Sequence, residues 1–417
     1  MAFASGDRRS YGDGRGEPVA VGLTDQSAEL LLALDPALRL GELYMDGRLI
    51  VEQGSIYDFL SLLKRNGIRK GATPLVVGLH VLRTLRHLAD TQLSPEISRR
   101  NVAHHYDLKS DLFRLFLDND MQYSCAYYDR PERTLEEAQL LKKRRLAAKL
   151  CIEPNQQVLD IGCGWGGLSL YLAQVAQARV HGVTLSDEQL AVAHQRSQAL
   201  DLDDRVRFSL SDYRRLEGSY DRIVSVGMFE HVGRRTYDTF FKTTARLLKR
   251  KGIFVLHSIG RTKPLLSPSP FVDKYIFPDC YIPALSEVLP SAERAGWLIR
   301  DVEILPMHYA DTLREWRRRF LSRRAEAVAM YDERFARMWE FYLAVSETAF
   351  RHDRLFVFQL QLSRHQGTIP TTRDYLAQRL RRLERAEGQQ LSPSWEPTPQ
   401  QPKAATGQTA HIKARSR

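Results

Sequence analysis

The sequence predicts an α/β fold: a parallel sheet covered by helices on both faces, with a smaller, mainly helical unit at its N-terminal end. Three observations point there. Residues 157–173, QVLDIGCGWGGLSLYLA, run from an apolar strand through Gly162, Gly164, Gly166 and Gly167 into an apolar-periodic helix. From there to residue 257, short apolar runs alternate with helix-like segments, the pattern of a parallel sheet that gathers ligands at the carboxyl ends of its strands. Before residue 100 that alternation is missing.

In chain order, residues 1–22 are rich in Gly, Ser and Arg and read as a disordered leader. Residues 23–100 read as a small separate domain with its connector: a helix over 27–34, a hairpin signalled by Asp46-Gly47 within LGELYMDGRLIV, a helix over 55–63, then a basic helical stretch. The main domain spans 101–390. It opens with a stretch dense in His, Tyr and Phe, with a helix over 110–117 and the loop Tyr123-Ser124-Cys125-Ala126-Tyr127-Tyr128. Loops carrying hydroxyls, a thiol and backbone groups are more often sites than scaffold. A charged helix over 135–150 leads to strands at 158–161, 179–185, 205–210, 221–226 and 253–257, with helices at 187–200 and 236–249 between them. The Pro-rich apolar insertion at 261–289 has the composition of a lid or channel wall. A helix ending near Gly296-Trp297, a strand over 299–305, amphipathic helices over 311–324 and 331–351, a strand over 355–362 and a helix over 372–387 follow. The tail, 391–417, has almost no core-forming residues and reads as disordered.

The glycine turn is a ligand cradle. Glycines accept its positive φ, and N–H groups at the helix start face an anionic or polar ligand. The spacing fits G-x-G-x-x-G through Gly162, Gly164 and Gly167, and equally D-x-G-x-G-x-G through Asp160, Gly162, Gly164 and Gly166. A dinucleotide calls for an acidic side chain about 20 residues further on. The second strand instead ends at Thr184, with Ser186, Asp187 and Gln189 opening the next helix. The third runs into Ser211-Asp212-Tyr213, which sets a carboxylate and a ring where an adenine is clamped. That layout is the one expected for S-adenosylmethionine; the dinucleotide reading loses weight but stays open. Two further strand ends carry Glu230 and His257, and a carboxylate with a histidine at the binding edge of one sheet points to catalysis.

The net charge of +11 implies an anionic partner, nucleic acid or lipid surface. Basic clusters at 64–70, 83–86, 142–145 and 314–324 are interleaved with Leu82, Leu85, Leu146, Trp316 and Phe320, as in helices that lie against a membrane with cations snorkelling to the headgroups. Compact arginine–aromatic nucleic-acid motifs are absent. No membrane-spanning apolar run and no secretory signal occur, so a cytoplasmic protein is expected. Cys125, Cys151, Cys163 and Cys280 form no C-x-x-C pair, and neither disulfides nor a metal site are expected.

The motifs GELYMDG, HHYDL, LFLDNDMQYSCAYYD, VLDIGCGWGGL, GVTLS with Gln189, MFEHVG, LHSIG, KYIFPDCYIP, HYADTL with Trp316, and RMWEFYLAVSETAFR together resemble the cyclopropane-fatty-acyl-phospholipid synthases. These belong to the S-adenosylmethionine-dependent mycolic and cyclopropane fatty acid methyltransferases, and the resemblance covers about residues 35–364. One departure is Asp279-Cys280, where the family often has Gly-Gly.

The resemblance implies a Rossmann-like class I methyltransferase sheet in a catalytic domain, 101–390, behind a lipid-engaging N-terminal domain. It implies transfer of a methylene from S-adenosylmethionine across a cis double bond of a phospholipid acyl chain, or, as the alternative, a methyl-branched or methylene-bearing product. It places bound bicarbonate as the base, held by the backbone of Cys125 and Ile259 and by Glu230, His257 and Tyr309. Cys125 is then no nucleophile, and no base is paired to it in the sequence. The cofactor falls to Tyr123, Ser124, Gly162, Gly164, Thr184, Leu185, Gln189 and Tyr213, with Asp160 supporting the turn and Asp212 at the adenine. The expected partners are membrane phospholipids with unsaturated acyl chains and no nucleic acid. A homodimer peripheral to the inner face of the membrane completes the expectation.

Overall fold

The computed structural model describes residues 1–67, 110–264 and 269–391, with residues 78, 79, 82 and 108 placed singly. The expected connector beyond residue 67, the basic cluster at 83–86, most of the HHYDL motif and the tail after residue 391 lie outside the described residues.

The N-terminal unit comprises β1 (Ala20–Leu23), α1 (Gln26–Leu34), α2 (Pro36–Met45), β2 (Leu49–Gln53) and α3 (Ile56–Arg65). Asp25 caps α1, and Ser55 caps α3 with Asp58 closing a capping box, so both helix starts have their exposed N–H groups satisfied. Three expectations are corrected. Asp46-Gly47 makes no hairpin: GELYM completes α2, Asp46 is its C-cap, and β2 pairs instead with β1, antiparallel, through Leu23↔Leu49. The leader over 1–22 is not without structure, because residues 20–22 are strand and the Ala2 N–H donates to the Val21 carbonyl at 2.8 Å. Nor is the unit separate. Leu43, Leu49 and Leu60 share one core cluster with Phe271, Trp339 and Phe341 of the main domain.

That shared core is tight at one point. A Cβ on Gly41 would stand 2.3 Å from the Phe271 ring and 2.8 Å from that of Phe341. Both rings are buried and cannot swing away, so Gly41→Ala is expected to cost about 1–3 kcal/mol of stability, the usual penalty for overpacking. A lowered thermal midpoint would check it; an unchanged one would mean that α2 slides freely on the main domain.

The main domain starts with α4 (Ser110–Arg114) and α5 (Leu135–Leu150), the latter capped by Thr134 and Glu137. Then β3 (Gln157–Ile161), α6 (Gly167–Gln174), β4 (Arg179–Thr184), α7 (Asp187–Ala199), β5 (Val206–Leu210), β6 (Tyr220–Val226), α8 (Tyr237–Leu247) and β7 (Leu248–Arg261) alternate as expected. Next come α9 (Pro270–Tyr275), α10 (Leu285–Arg294), β8 (Leu298–Leu305), α11 (His308–Ser322), α12 (Arg324–Met330), α13 (Glu333–His352), β9 (Leu355–Ser363) and α14 (Asp374–Gln390). The seven strands lie in the order β5-β4-β3-β6-β7-β9-β8, with β9 antiparallel to both neighbours and the other adjacent pairs parallel. The order reverses between β3 and β6, and a crevice opens there at the carboxyl ends.

β7 is longer than the expected 253–257. Its register with β9 runs on from His257↔Gln359 to Arg261↔Leu355, so His257 and Ile259 are held inside a paired strand rather than in a loop after it.

The basic clusters are also corrected. Lys142 and Lys143 are buried, Arg144 bonds Glu384 and Glu387, and Arg145 pairs with Glu303. Arg317, Arg319 and Arg324 pair with Glu347, Glu136 and Glu333. Carboxylates on neighbouring helices absorb charge that the sequence alone left facing outward. Among the described residues no helix is long and apolar enough to cross a membrane.

Candidate active site

β3 delivers the chain into the glycine turn with Asp160 buried beneath it. The Asp160 carboxylate accepts from Ser169 Oγ at 2.7 Å, and burial pushes its pKa up to about 6. Gly162 has φ +81°, and a Cβ there would meet the Met228 side chain at 2.9 Å, so β6's exit loop packs directly on the turn. Before the helix start, the N–H groups of Gly162 and Cys163 both donate to the Val183 carbonyl of β4, at 2.9 and 3.0 Å.

All ten residues expected at the cofactor line one cleft at this switch point: Tyr123, Ser124, Asp160, Gly162, Gly164, Thr184, Leu185, Gln189, Asp212 and Tyr213. Where a dinucleotide site would carry an acid, Thr184 Oγ1 donates to Gln189 Oε1 at 2.8 Å, a neutral pair. Asp212 is less available than its position suggests, because Arg214 Nε donates to both its oxygens at 2.9 and 3.0 Å. Trp165, Met228 and His231 also line the cleft. They were not singled out from sequence, although Trp165 lies within VLDIGCGWGGL and Met228 and His231 within MFEHVG.

A second group sits one step deeper. A short 3₁₀ turn, Phe229–His231, follows β6 and directs Glu230 at β7, where its Oε1 accepts the Ile259 N–H at 2.6 Å. The other oxygen, Oε2, is buried with no hydrogen-bond partner among the described residues. Burial pushes the Glu230 pKa up to about 7, against the opposing Ile259 N–H. Two residues along β7, His257 receives Gln359 Nε2 on its Nδ1 at 3.1 Å, which leaves its proton on Nε2. Burial, then the charges of Lys142 and Lys149, hold its pKa well below the ordinary value, so the ring is neutral.

Next to Cys125, the Ala126 N–H donates to Thr312 Oγ1 at 3.1 Å, one turn along α11 from Tyr309. Burial pushes the Cys125 thiol far up, and Sγ donates to the Ala126 carbonyl at 3.2 Å, an inert thiol rather than a thiolate. The Tyr309 ring lies 4.9 Å from Phe350 and 5.8 Å from Trp316.

The insertion after β7 closes over this corner. The Tyr281 N–H donates to the Glu230 carbonyl at 2.9 Å, and Phe277 lies against His231 and Tyr342 at 5.5 and 6.0 Å. The Tyr123 and Tyr342 hydroxyls meet at 2.8 Å. Aromatic residues from 123–128, 271–281 and 339–342 thus form one wall beside the cleft. The Asp279 substitution is accommodated: it takes φ +58°, a conformation suited to glycine and tolerated by aspartate, and its N–H donates to Asp273 Oδ1 at 3.0 Å.

The profile of mycolic acid cyclopropane synthetase matches residues 94–360. The chain belongs to that family. Members of the mycolic acid cyclopropane synthetase family are S-adenosylmethionine-dependent methyltransferases, and the observed sheet is that of class I. The cyclopropane-fatty-acyl-phospholipid synthase of Escherichia coli strain K12 is 40% identical over 332 residues, 79% of this chain and 83% of that protein. The tuberculostearic acid methyltransferase UfaA1 of Mycobacterium tuberculosis is 39% identical over 65% of this chain and 66% of its own length. Among solved structures, the family member CmaA1, a mycolic acid cyclopropane synthase complexed with SAH and CTAB, is similar with a TM-score of 0.62. It is 33% identical, covering 65% of this chain and 99% of that one.

Proposed function

We propose that this chain cyclopropanates phospholipid acyl chains: it takes a methyl group from S-adenosylmethionine and closes it, as a methylene, across a cis double bond. The observation that carries the reading is the Glu230 corner. A buried carboxylate oxygen with no partner among the described residues, anchored two residues along β7 from a neutral imidazole and next to the cofactor cleft, suits a small anion with a proton to share. The residues fit bicarbonate on those grounds. Bound there, bicarbonate supplies the base that takes a proton from the added methyl.

The chain's own residues do the rest. The cleft orients the cofactor through Tyr123, Ser124, Gly162, Gly164, Thr184, Leu185, Gln189, Asp212 and Tyr213, with Asp160 behind the turn. Positioning matters because an unactivated alkene is a weak nucleophile and must be held in line at near-attack distance. Glu230, near neutrality in pKa, holds a proton toward the anion, and His257 Nε2–H and the Tyr309 hydroxyl donate to it along with the backbone of Cys125 and Ile259. The wall of Tyr123, Phe277 and Tyr342 excludes water, and its ring faces stabilise positive charge on the chain by about 0.5–2 kcal/mol each. A peripheral position at the inner face of the membrane and a homodimer belong to the same reading.

Incubation with S-adenosylmethionine, bicarbonate and vesicles of unsaturated phospholipid is expected to give acyl chains heavier by one methylene that resist hydrogenation. Recovery of unchanged lipid would refute it. The similarity to the tuberculostearic acid methyltransferase favours a second reading, a methyl-branched product, and proton NMR of the same lipid separates a ring from a branch.

A further inference from the structure

The segment from Gln122 to Cys125 forms no regular secondary structure, yet Tyr123 and Ser124 line the cofactor cleft. Its backbone polar groups therefore need partners outside any ladder. They find them on α5. Gln139 Nε2 donates to the carbonyls of Gln122 and Ser124, at 3.2 and 2.9 Å. One turn further on, Lys142 Nζ donates to Gln122 Oε1 at 2.6 Å and to Ser124 Oγ at 2.7 Å. Lys142 is 1% exposed, a long way for an ammonium group to be taken from water merely to fill space.

The platform beneath these side chains is firm. At the far end of α5, Lys149 pairs with Glu303 of β8 at 2.6 Å, and its carbonyl accepts from Gln361 of β9. From the other side Asp118 receives the Gln122 N–H at 2.8 Å, and Asp120 receives Gln122 Nε2 at 3.0 Å. Gln122 is thus gripped at its backbone and at both ends of its amide, and Ser124 at its carbonyl and its hydroxyl.

We propose that Lys142, seconded by Gln139, is a positioning residue for the cofactor: it fixes the Gln122–Ser124 wall of the cleft and thereby sets cofactor affinity. The proposal rests on the reading of that cleft as the S-adenosylmethionine site. Lys142 does not itself line the cleft. Its action passes through Ser124 and Gln122, and its loss releases the Ser124 hydroxyl and the Gln122 Oε1.

Charge gives the proposal a signature that packing alone lacks. Burial brings the Lys142 pKa down to about 8. Among the described residues, the titratable groups that face it are Lys143 on its own helix, Asp118, Asp120 and Cys125 on the packed segment, Asp160 on β3 and His257 on β7. Asp118 and Asp160, at about 6, Asp120 and His257 below them and Cys125 far above do not change charge near pH 8. Between pH 7 and 9 the ammonium becomes an amine, and its bonds to Gln122 and Ser124 lose their charge assistance. The sign for folding is opposite: a depressed lysine pKa costs stability in full below about 8, and the cost is relieved as pH rises toward the ordinary lysine value. Tighter folding with weaker binding as pH rises is the pattern that marks a positioning role.

The test is calorimetric titration of the full chain with S-adenosylhomocysteine, at pH 7 and pH 9, for the unaltered protein, Lys142→Met and Gln139→Leu. At pH 7 each variant is expected to bind about tenfold more weakly, as fits loss of hydrogen bonds from a charged or bidentate donor. In turnover the KM for S-adenosylmethionine rises by a like factor while kcat changes far less. The unaltered protein weakens from pH 7 to 9, and Lys142→Met does not. A variant that melts cooperatively but binds within twofold of the parent overturns the proposal. Should Lys142→Met fail to fold, Gln139→Leu and the pH arm on the unaltered protein still decide, and flat affinity across that range overturns it. An unaltered protein that binds no S-adenosylhomocysteine at either pH brings down the cofactor reading itself, and the proposal with it.

Discussion

Glu230→Gln is expected to lower turnover by roughly 10²-fold or more, in the range assigned to a positioned acid or base, while S-adenosylhomocysteine affinity stays within about threefold. The asymmetry follows from position. Glu230 does not line the cofactor cleft; it sits behind the turn whose neighbours, Met228 and His231, do. Its Oε1 is committed to the Ile259 N–H, and glutamine offers an oxygen of the same shape for that bond, so β7 keeps its place. What the substitution removes is a proton that moves near neutrality. Stability provides an independent check. The folded pKa of about 7 lies above the ordinary carboxylate value, so the contribution of Glu230 to stability is full in acid and lost as pH rises through 7. The variant therefore gains on the parent in thermal melts as pH rises from about 4.5 to about 7 and keeps that gain above it, while falling behind in turnover. Equal losses of turnover and cofactor affinity would remove Glu230 from the anion corner.

The sheet and its turn were legible because they depend on local signals: glycine placement, apolar runs of strand length and the strand ends that follow. The residues expected at the cofactor fall together in one cleft for that reason, since Thr184, Asp212 and Tyr213 follow strand ends legible to within a residue or two. Pairing between distant strands was not legible. Nothing near His257 announces β9, whose Gln359 sets the tautomer of that histidine across a register visible only in three dimensions. Two glutamines, Gln359 and Gln361, in an otherwise apolar strand were the available clue. Lys142 was misjudged for a related reason: KKRR reads as a membrane-facing cluster until Gln122 and Ser124 are known to hold Lys142, and Asp120, Glu387 and Glu303 its three neighbours. The hairpin at Asp46-Gly47 failed because a D-G pair ends a helix as readily as it turns a ribbon, and only the pairing of β1 with β2 distinguishes them.

Two glycines of the turn are expected to respond differently to the same methyl group. At Gly162, φ +81° is strained for alanine and the new Cβ would press on Met228 at 2.9 Å, so Gly162→Ala distorts both the turn and the exit of β6. Strain of this kind costs about 1–3 kcal/mol. Stability should fall by that amount, and cofactor affinity should fall about 10- to 100-fold, because the cleft floor moves. At Gly164, φ is +54°, within the left-handed region alanine enters at about 1–2 kcal/mol, and among the described residues no atom beyond its chain neighbours lies within 4 Å of the added Cβ. The methyl group there projects into open space that lines the cleft. Gly164→Ala should melt close to the parent and yet bind S-adenosylhomocysteine at least tenfold more weakly, since the methyl occupies room the ligand needs. Calorimetry and thermal melts on the pair give a two-by-two outcome in which Gly162→Ala loses both properties and Gly164→Ala only one. If Gly164→Ala bound the ligand as the parent does, no cofactor would approach the backbone at that point, and the cleft would need a different occupant.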